Sequence, residues 1–217
     1  MKVKNRAKPN LPPVEPGVYL AVCIHSIDLG EQLCEYKDKG KRYNNQVQLV
    51  FELAGETIEV DGARVARTLS RTFNFTRGKN GGLRKFVQSW LGKQFSDETF
   101  GEFDTNDLVG MPAQLSVILS ESGEYANIDT IMALPKGLPV PKPTLPLIRF
   151  DLEPWDGAAF AALPDWAQEK IKKSTQYQKD HLPAETVDFP PEEEGKTAAP
   201  VGQAPQVDTG TGEVCPF

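Results

Sequence analysis

Two stretches of the chain set cations beside aromatic rings. In EYKDKGKRYN, Lys37, Lys39, Lys41 and Arg42 lie between Tyr36 and Tyr43, and in ARVARTLSRTFNFTRGK, Arg67, Arg71, Arg77 and Lys79 accompany Phe73 and Phe75. A row of cations can follow a row of phosphates, and an aromatic face can stack on any base, so the mixture suits a single-stranded nucleic acid. One of Phe73 and Phe75, and also Trp90, is expected in the core instead. Catalytic chemistry has less to attach to. His25 falls on an apparent strand and His181 far from it, no Ser or Cys occupies a nucleophile motif, and no metal-ligand spacing occurs, so neither an enzyme nor a cofactor or metal is expected. RGKNGG lacks the GxxxxGK[ST] spacing that would supply a phosphate cradle and a Mg²⁺-binding hydroxyl. The acids of DETFGEFDTND follow no oxygen-ligand pattern and read as a solvated loop with a capped helical turn.

These side chains need a scaffold, and hydrophobic periodicity supplies one. GVYLAVCIHSIDLG (17–30) and QVQLVFEL (46–53) alternate as strands, joined by the polar stretch EQLCEYKDKGKRYNN, which reads as a long basic hairpin loop. AGETIEVDG is a turn-rich link with room for a short strand, and ARVARTLSRTFNFT (63–76) is a third strand with room for a bulge. The period then changes. Leu83, Phe86, Val87, Trp90 and Leu91 recur at helical spacing and stop near Gly92. PAQLSVILS and EYANIDTIMAL flank the turn Glu121-Ser122-Gly123 as two more strands. Five strands with a helix between the third and fourth predict a mainly β, five-stranded OB-fold barrel, which also removes exposed sheet edges. In that fold the face of strands 2 and 3 and the loops between strands 1 and 2 and between strands 4 and 5 form the ligand groove, where much of the cationic and aromatic material falls.

Charge is distributed unevenly. The 217 residues carry a net charge of −6, yet eight acids and one base, Lys196, lie between Asp180 and the end, so the preceding residues are close to neutral. No apolar run approaches a membrane span, MKVKNRAKPN is not followed by the apolar stretch of a signal peptide, and three cysteines without a CxxC pair encode neither a disulfide framework nor a zinc site. A cytoplasmic protein is expected. PKGLPVPKPTLPL is a semi-rigid extended linker lying along the barrel, PWDGAAFAALPDWAQEKIKKSTQY holds two short helical patterns whose Trp155, Phe160, Leu163, Trp166 and Ile171 face inward, and the remainder is composed like a disordered tail. The expected organisation is a flexible basic arm (1–15), an OB-fold domain (16–135), a Pro-rich linker (136–147), a helical extension (148–180) and an acidic tail (181–217).

Through GVYLAVCIHSIDLG, QVQLVFEL, LRKFVQSWLGKQF and EYANIDTIMALPKG the chain resembles phage-encoded single-stranded DNA-binding proteins of replication and recombination modules. That resemblance implies an OB-fold core that coats single-stranded DNA without strong sequence preference in an infected bacterial cytoplasm. The closing EVCPF is similar to the tip of bacterial single-stranded DNA-binding proteins, where acids precede Pro-Phe and dock replication and repair partners. Pro216 and Phe217 match, Glu213 keeps some acidity, and Val214 and Cys215 depart from the pattern. The resemblance thus implies single-stranded DNA and host or phage replication and repair proteins as partners, with homo-oligomers and a non-catalytic phage adaptor that binds protein through the same barrel left open.

Overall fold

The computed structural model describes residues 12–36, 40–60, 62–76 and 78–181, apart from the side chain of Tyr36. The described part is mainly β: strands β1 (Gly17–Tyr36), β2 (Gly40–Val60), β3 (Ala63–Asn74), β4 (Pro112–Leu119), β5 (Ala126–Met132) and β6 (Ile148–Phe150). Helices α1 (Gly82–Leu91) and α2 (Asp97–Gly101) and a 3-10 turn at Thr105–Leu108 separate β3 from β4, and α3 (Gly157–Ala161), α4 (Asp165–Ile171) and α5 (Thr175–His181) follow β6. The strands pair antiparallel in the order β3-β2-β1-β4-β5, with β6 added parallel to β1. No ladder joins β3 to β5, so hydrogen bonding leaves the sheet open.

Strand alternation decides what the sheet encloses. Ala21 and Cys23 of β1, Leu49, Phe51 and Leu53 of β2, and Ala113, Leu115 and Val117 of β4 share one core with Leu83, Phe86, Val87 and Trp90 of α1. Fully burying a side chain of this size stabilises the fold by roughly 1.5–3 kcal/mol, so α1 is held mainly by its apolar stripe. The helix also closes one end of the core. The Trp90 indole N–H donates to the Pro112 carbonyl at 2.9 Å, and the Ser89 hydroxyl to the Ile131 carbonyl at 2.6 Å. Gly92 ends α1 in the left-handed region, φ 63°, as its place in the sequence predicts.

The polar stretch expected to be a hairpin loop is strand instead. Glu31–Tyr36 pairs with Gly40–Asn45, so β1 and β2 run out as a long ribbon, and β2 also continues through the expected link to Val60. Tertiary packing overrides the polar composition here. A second core forms under the ribbon from Ile27 and Leu29 of β1 with Phe150, Leu152, Phe160, Leu163 and Ile171. Hydrogen bonds complete the join: Gln32 Nε2 donates to the Leu29 carbonyl at 2.6 Å and the Lys170 carbonyl at 3.0 Å, and the Glu31 N–H donates to Gln176 Oε1 at 2.8 Å. Gly30 makes the approach possible, because with φ 71° a Cβ there would lie 2.5 Å from Leu152 Cδ1 and 2.8 Å from Ser174 Cβ. The helical extension therefore packs on the ribbon rather than on the core shared with α1, and it begins with a strand, β6, that the Pro-rich composition does not predict.

The Pro-rich segment crosses the other face of β1 and β2. Val22, Val50 and Glu52 alternate away from the main core yet are 2%, 7% and 5% exposed, so something covers them. Glu52 identifies the cover: its carboxylate accepts the Thr144 N–H at 2.9 Å, the Thr144 hydroxyl at 2.7 Å and the Leu145 N–H at 2.9 Å. Removing a charged acceptor from part-buried donors costs about 2–3 kcal/mol. Glu52→Ala should lower the unfolding free energy by that amount and open residues 135–147 to protease. Unchanged urea midpoints and unchanged cleavage would show that the contact does not anchor the segment.

Asp28, beside the second core, gives a pH dependence. Burial raises its pKa above the ordinary 3.8, the Gly30 and Leu152 N–H groups oppose the rise, and Asp151 and Glu153 add to it. A raised carboxyl binds its proton more tightly folded than unfolded, so its contribution is most favourable below pH 3.8 and declines as pH climbs through the higher folded value. Asp28→Asn should make the change in stability between about pH 4 and pH 7 less unfavourable, read by denaturant titration at several pH values. The same pH profile in both proteins would count against it.

Candidate nucleic-acid interface

The sequence-selected cations divide into two groups. Lys41 and Arg42 are exposed at the start of β2, cross-strand from Glu35 and Cys34, and Lys79 is exposed in the turn before α1. Tyr43 is half-buried opposite Leu33 on the same ribbon. These four form the accessible part of the expected site. The side chain of Tyr36, and Lys37, Lys39, Arg77, Glu213, Pro216 and Phe217, lie outside the described residues.

Arg67 and Arg71 are used inside the fold. The Arg71 guanidinium donates to the Ile128 carbonyl at 2.9 Å and the Asp129 carbonyl at 3.1 Å, so one side chain of β3 bridges to β5 where no backbone ladder does. It also lies 5.2 Å from the Phe73 ring centroid and 5.4 Å from that of Phe86. Five fixed donors on a planar fork suit this bridge, and cation–π contact offsets part of the desolvation. Arg67 donates to the Pro12 carbonyl, tying β3 to the segment that precedes β1.

The two phenylalanines have the same fate. Phe73 is 5% exposed and packs 4.8 Å, centroid to centroid, from Phe86, so it fills core rather than offering a face to a base. Phe75 is half-buried and stacks on Phe100 at 6.2 Å, its own N–H donating to the Asn45 carbonyl. Both corrections have one cause. In the later part of β3 the odd-numbered residues Leu69, Arg71 and Phe73 point to the enclosed side, while Val65 nearer its start is exposed, and an alternating strand cannot turn Arg71 and Phe73 outward together without a register slip.

Exposed aromatic rings lie elsewhere. Tyr125, in the β4–β5 hairpin that Ser120 closes through the Tyr125 carbonyl, is 67% exposed, and Trp155 and Trp166 are 37% and 38% exposed. The sequence groups the two tryptophans with Phe160, Leu163 and Ile171 as residues that could pack inward, and the structure leaves both partly exposed, Trp155 ahead of α3 and Trp166 in the first turn of α4.

His25 is half-buried, and burial lowers its pKa, with the Pro146 backbone partly opposing, which leaves the ring neutral at pH 7. Burial pushes the Cys23 thiol up to about 12, so it stays protonated and unreactive in the folded chain. Among the described residues no group of three or more His, Cys, Asp or Glu is placed to hold a metal ion, and no helix is long and apolar enough to cross a membrane. No protein-family model matches the chain, and no curated protein or solved structure matches it significantly.

Arg71 and the ribbon cations should therefore respond differently to mutation. Arg71→Ala should lower stability by about 2–3 kcal/mol, since it removes two hydrogen bonds from a charged donor and strands two carbonyls. Lys41→Glu with Arg42→Glu should leave the unfolding midpoint within about 0.5 kcal/mol of the parent, as exposed substitutions do. Equal destabilisation by both variants in urea titrations would overturn the division.

Proposed function

We propose that this chain binds and protects single-stranded DNA, with little sequence preference, during phage DNA replication or recombination, and that it does so without catalysis. The observation that carries the reading is the connectivity: β1 between β2 and β4, β3 beyond β2, β5 beyond β4, and α1 between β3 and β4. An OB fold is a partly open five-stranded barrel with that order, and Arg71 spans the seam such a barrel leaves between its third and fifth strands. Function does not follow from a fold, so the exposed cations matter as well. Lys41 and Arg42 project from the ribbon between the first two strands, a position where OB folds contact single strands. The acidic tail with Glu213, Pro216 and Phe217 is proposed to recruit replication and repair proteins, a short apolar anchor on a tether that raises partner concentration near the DNA.

A non-catalytic adaptor that binds protein is the second reading. Burial of Phe73 and exposure of Trp155 and Trp166 favour it, because tryptophan is enriched where proteins meet.

Titration with oligo-dT and with duplex, followed by gel shift at low and high salt, separates the two. Single-strand binding that weakens as salt rises, with duplex bound less well, is the expected result, and no salt-sensitive binding to oligo-dT rejects the proposal. Deleting Phe217 should leave that titration unchanged while abolishing capture of a host replication or repair enzyme. A loss of DNA affinity on that deletion would instead make the tip part of the DNA site.

A further inference from the structure

The helical extension carries a surface that the proposed ribbon contacts do not absorb. Beyond the buried Phe150 and Phe160, rings continue outward: Trp155 lies 4.9 Å from Phe160 and 5.5 Å from Tyr177, and the His181 imidazole stacks on Tyr177 at 4.3 Å and 9° and reaches Trp155 at 4.6 Å. A ring cluster that only sealed a core would bury its largest member, yet Trp155 stays 37% exposed while Trp90 is 1% exposed. Trp155 thus keeps part of its indole open while Phe150, Phe160, Tyr177 and His181 pack around it.

Cations sit beside it. Lys172 Nζ is 5.8 Å from the Phe160 ring centroid, and Lys172 and Lys173 are both exposed at the end of α4. The Lys170 pKa is lowered by burial first and by the Lys173 charge second. Two of the acids in this segment have partners of their own: Asp156 caps α3 by accepting the Ala158 and Ala159 N–H groups at 2.8 and 3.1 Å, and Asp151 accepts from Asn106 Nδ2 at 2.6 Å. The lysines also adjoin the ribbon. The Lys170 carbonyl accepts from Gln32, and the Thr175 hydroxyl donates to Glu31 at 2.6 Å, so the end of α4 is docked on the strand that leads to Lys41 and Arg42.

We infer that Trp155, with Lys172 and Lys173, is a second contact site for single-stranded nucleic acid, a base stacking on the open indole face while the lysines meet phosphates, continuous with the ribbon. The inference rests on the single-strand reading above. Stacking on one aromatic ring and counterion release by each phosphate contact are sequence-tolerant, which fits a chain that binds without sequence preference.

Tryptophan emission during oligo-dT titration tests it, because Trp90 is buried and only Trp155 and Trp166 can report a base. Trp166→Phe should keep most of the quenching, and Trp155→Phe should lose it. Trp155→Leu should weaken binding roughly tenfold, and Lys172→Glu with Lys173→Glu should reduce the slope of log K against log salt by about 1.4, about 0.7 for each lost phosphate contact. If Trp155→Leu impairs folding, the phenylalanine and lysine variants still decide. Oligo-dT bound by gel shift with parental quenching in Trp155→Phe and a parental salt slope in the lysine variant would overturn this site alone. An acidic peptide matching residues 182–217, bound at these lysines in place of oligo-dT, would also overturn it. Failure of the parent to bind oligo-dT would remove both this site and the reading beneath it.

Discussion

The structure depends on one strand serving two cores. Along β1 the pairing with β2 slips between Cys23 and His25 and again between Asp28 and Gly30. Each slip inserts a residue and changes which side chains face which layer. Before the first, Ala21 and Cys23 point into the core shared with α1, and after it Ile27 and Leu29 point into the core shared with α3, α4 and α5. A regular strand of the same sequence would place all four of these odd-numbered residues on one face. The bulges therefore hold the main core of the sheet and the helical half on a single covalent beam, and Gly30 permits the close approach that seals the second half.

Much of the first half was legible because it follows simple alternation. Val47, Leu49, Phe51 and Leu53 on β2, and the Leu83-Phe86-Val87-Trp90 stripe on α1, each report their buried face directly from spacing, and Gly92 reports the helix end. The ribbon was not legible, since Glu31–Tyr36 and Gly40–Asn45 are as polar as a loop. Their strand conformation is supported by hydrogen bonds of Glu31 and Gln32 to Lys170, Thr175 and Gln176, partners 138 to 145 residues away in the sequence, and no local pattern encodes contacts at such separation. Where Arg71, Phe73 and Phe75 pack was not legible for a related reason. Composition says that a cation and a ring are near each other, but which face of β3 they share is set by register, and register placed Arg71 and Phe73 on the enclosed side.

Arg71 shows how a charge that suggests a ligand can instead complete a fold. The two ends of the sheet, β3 and β5, come together without a ladder, so β5 carbonyls at Ile128 and Asp129 would otherwise lack donors on that side. A side chain that reaches across supplies them, and its guanidinium tolerates partial burial because Phe73 and Phe86 present ring faces to it. Arg84 acts similarly below α1: 2% exposed, it pairs with Asp97, donates to the Phe95 carbonyl and lies 5.5 Å from the Phe100 ring. Positive charge counted along the chain thus overstates positive charge available at the surface.

The Pro-rich segment sharpens where that share can act. Its anchor at Glu52 places residues 144–148 over the outward side chains of β1 and β2, and β6 then pairs beside His25. Val22 and Val50 are covered as a result, so the middle of the outer face between these strands is not open to a ligand while the anchor holds. The ribbon runs beyond this cover, and the second core stiffens it from one side. On the proposed single-strand reading, the helical half with Trp155, Lys172 and Lys173 combines a partly open ring with cations, and it is joined to the ribbon through hydrogen bonds from Gln32 and Thr175 that fix their relative position.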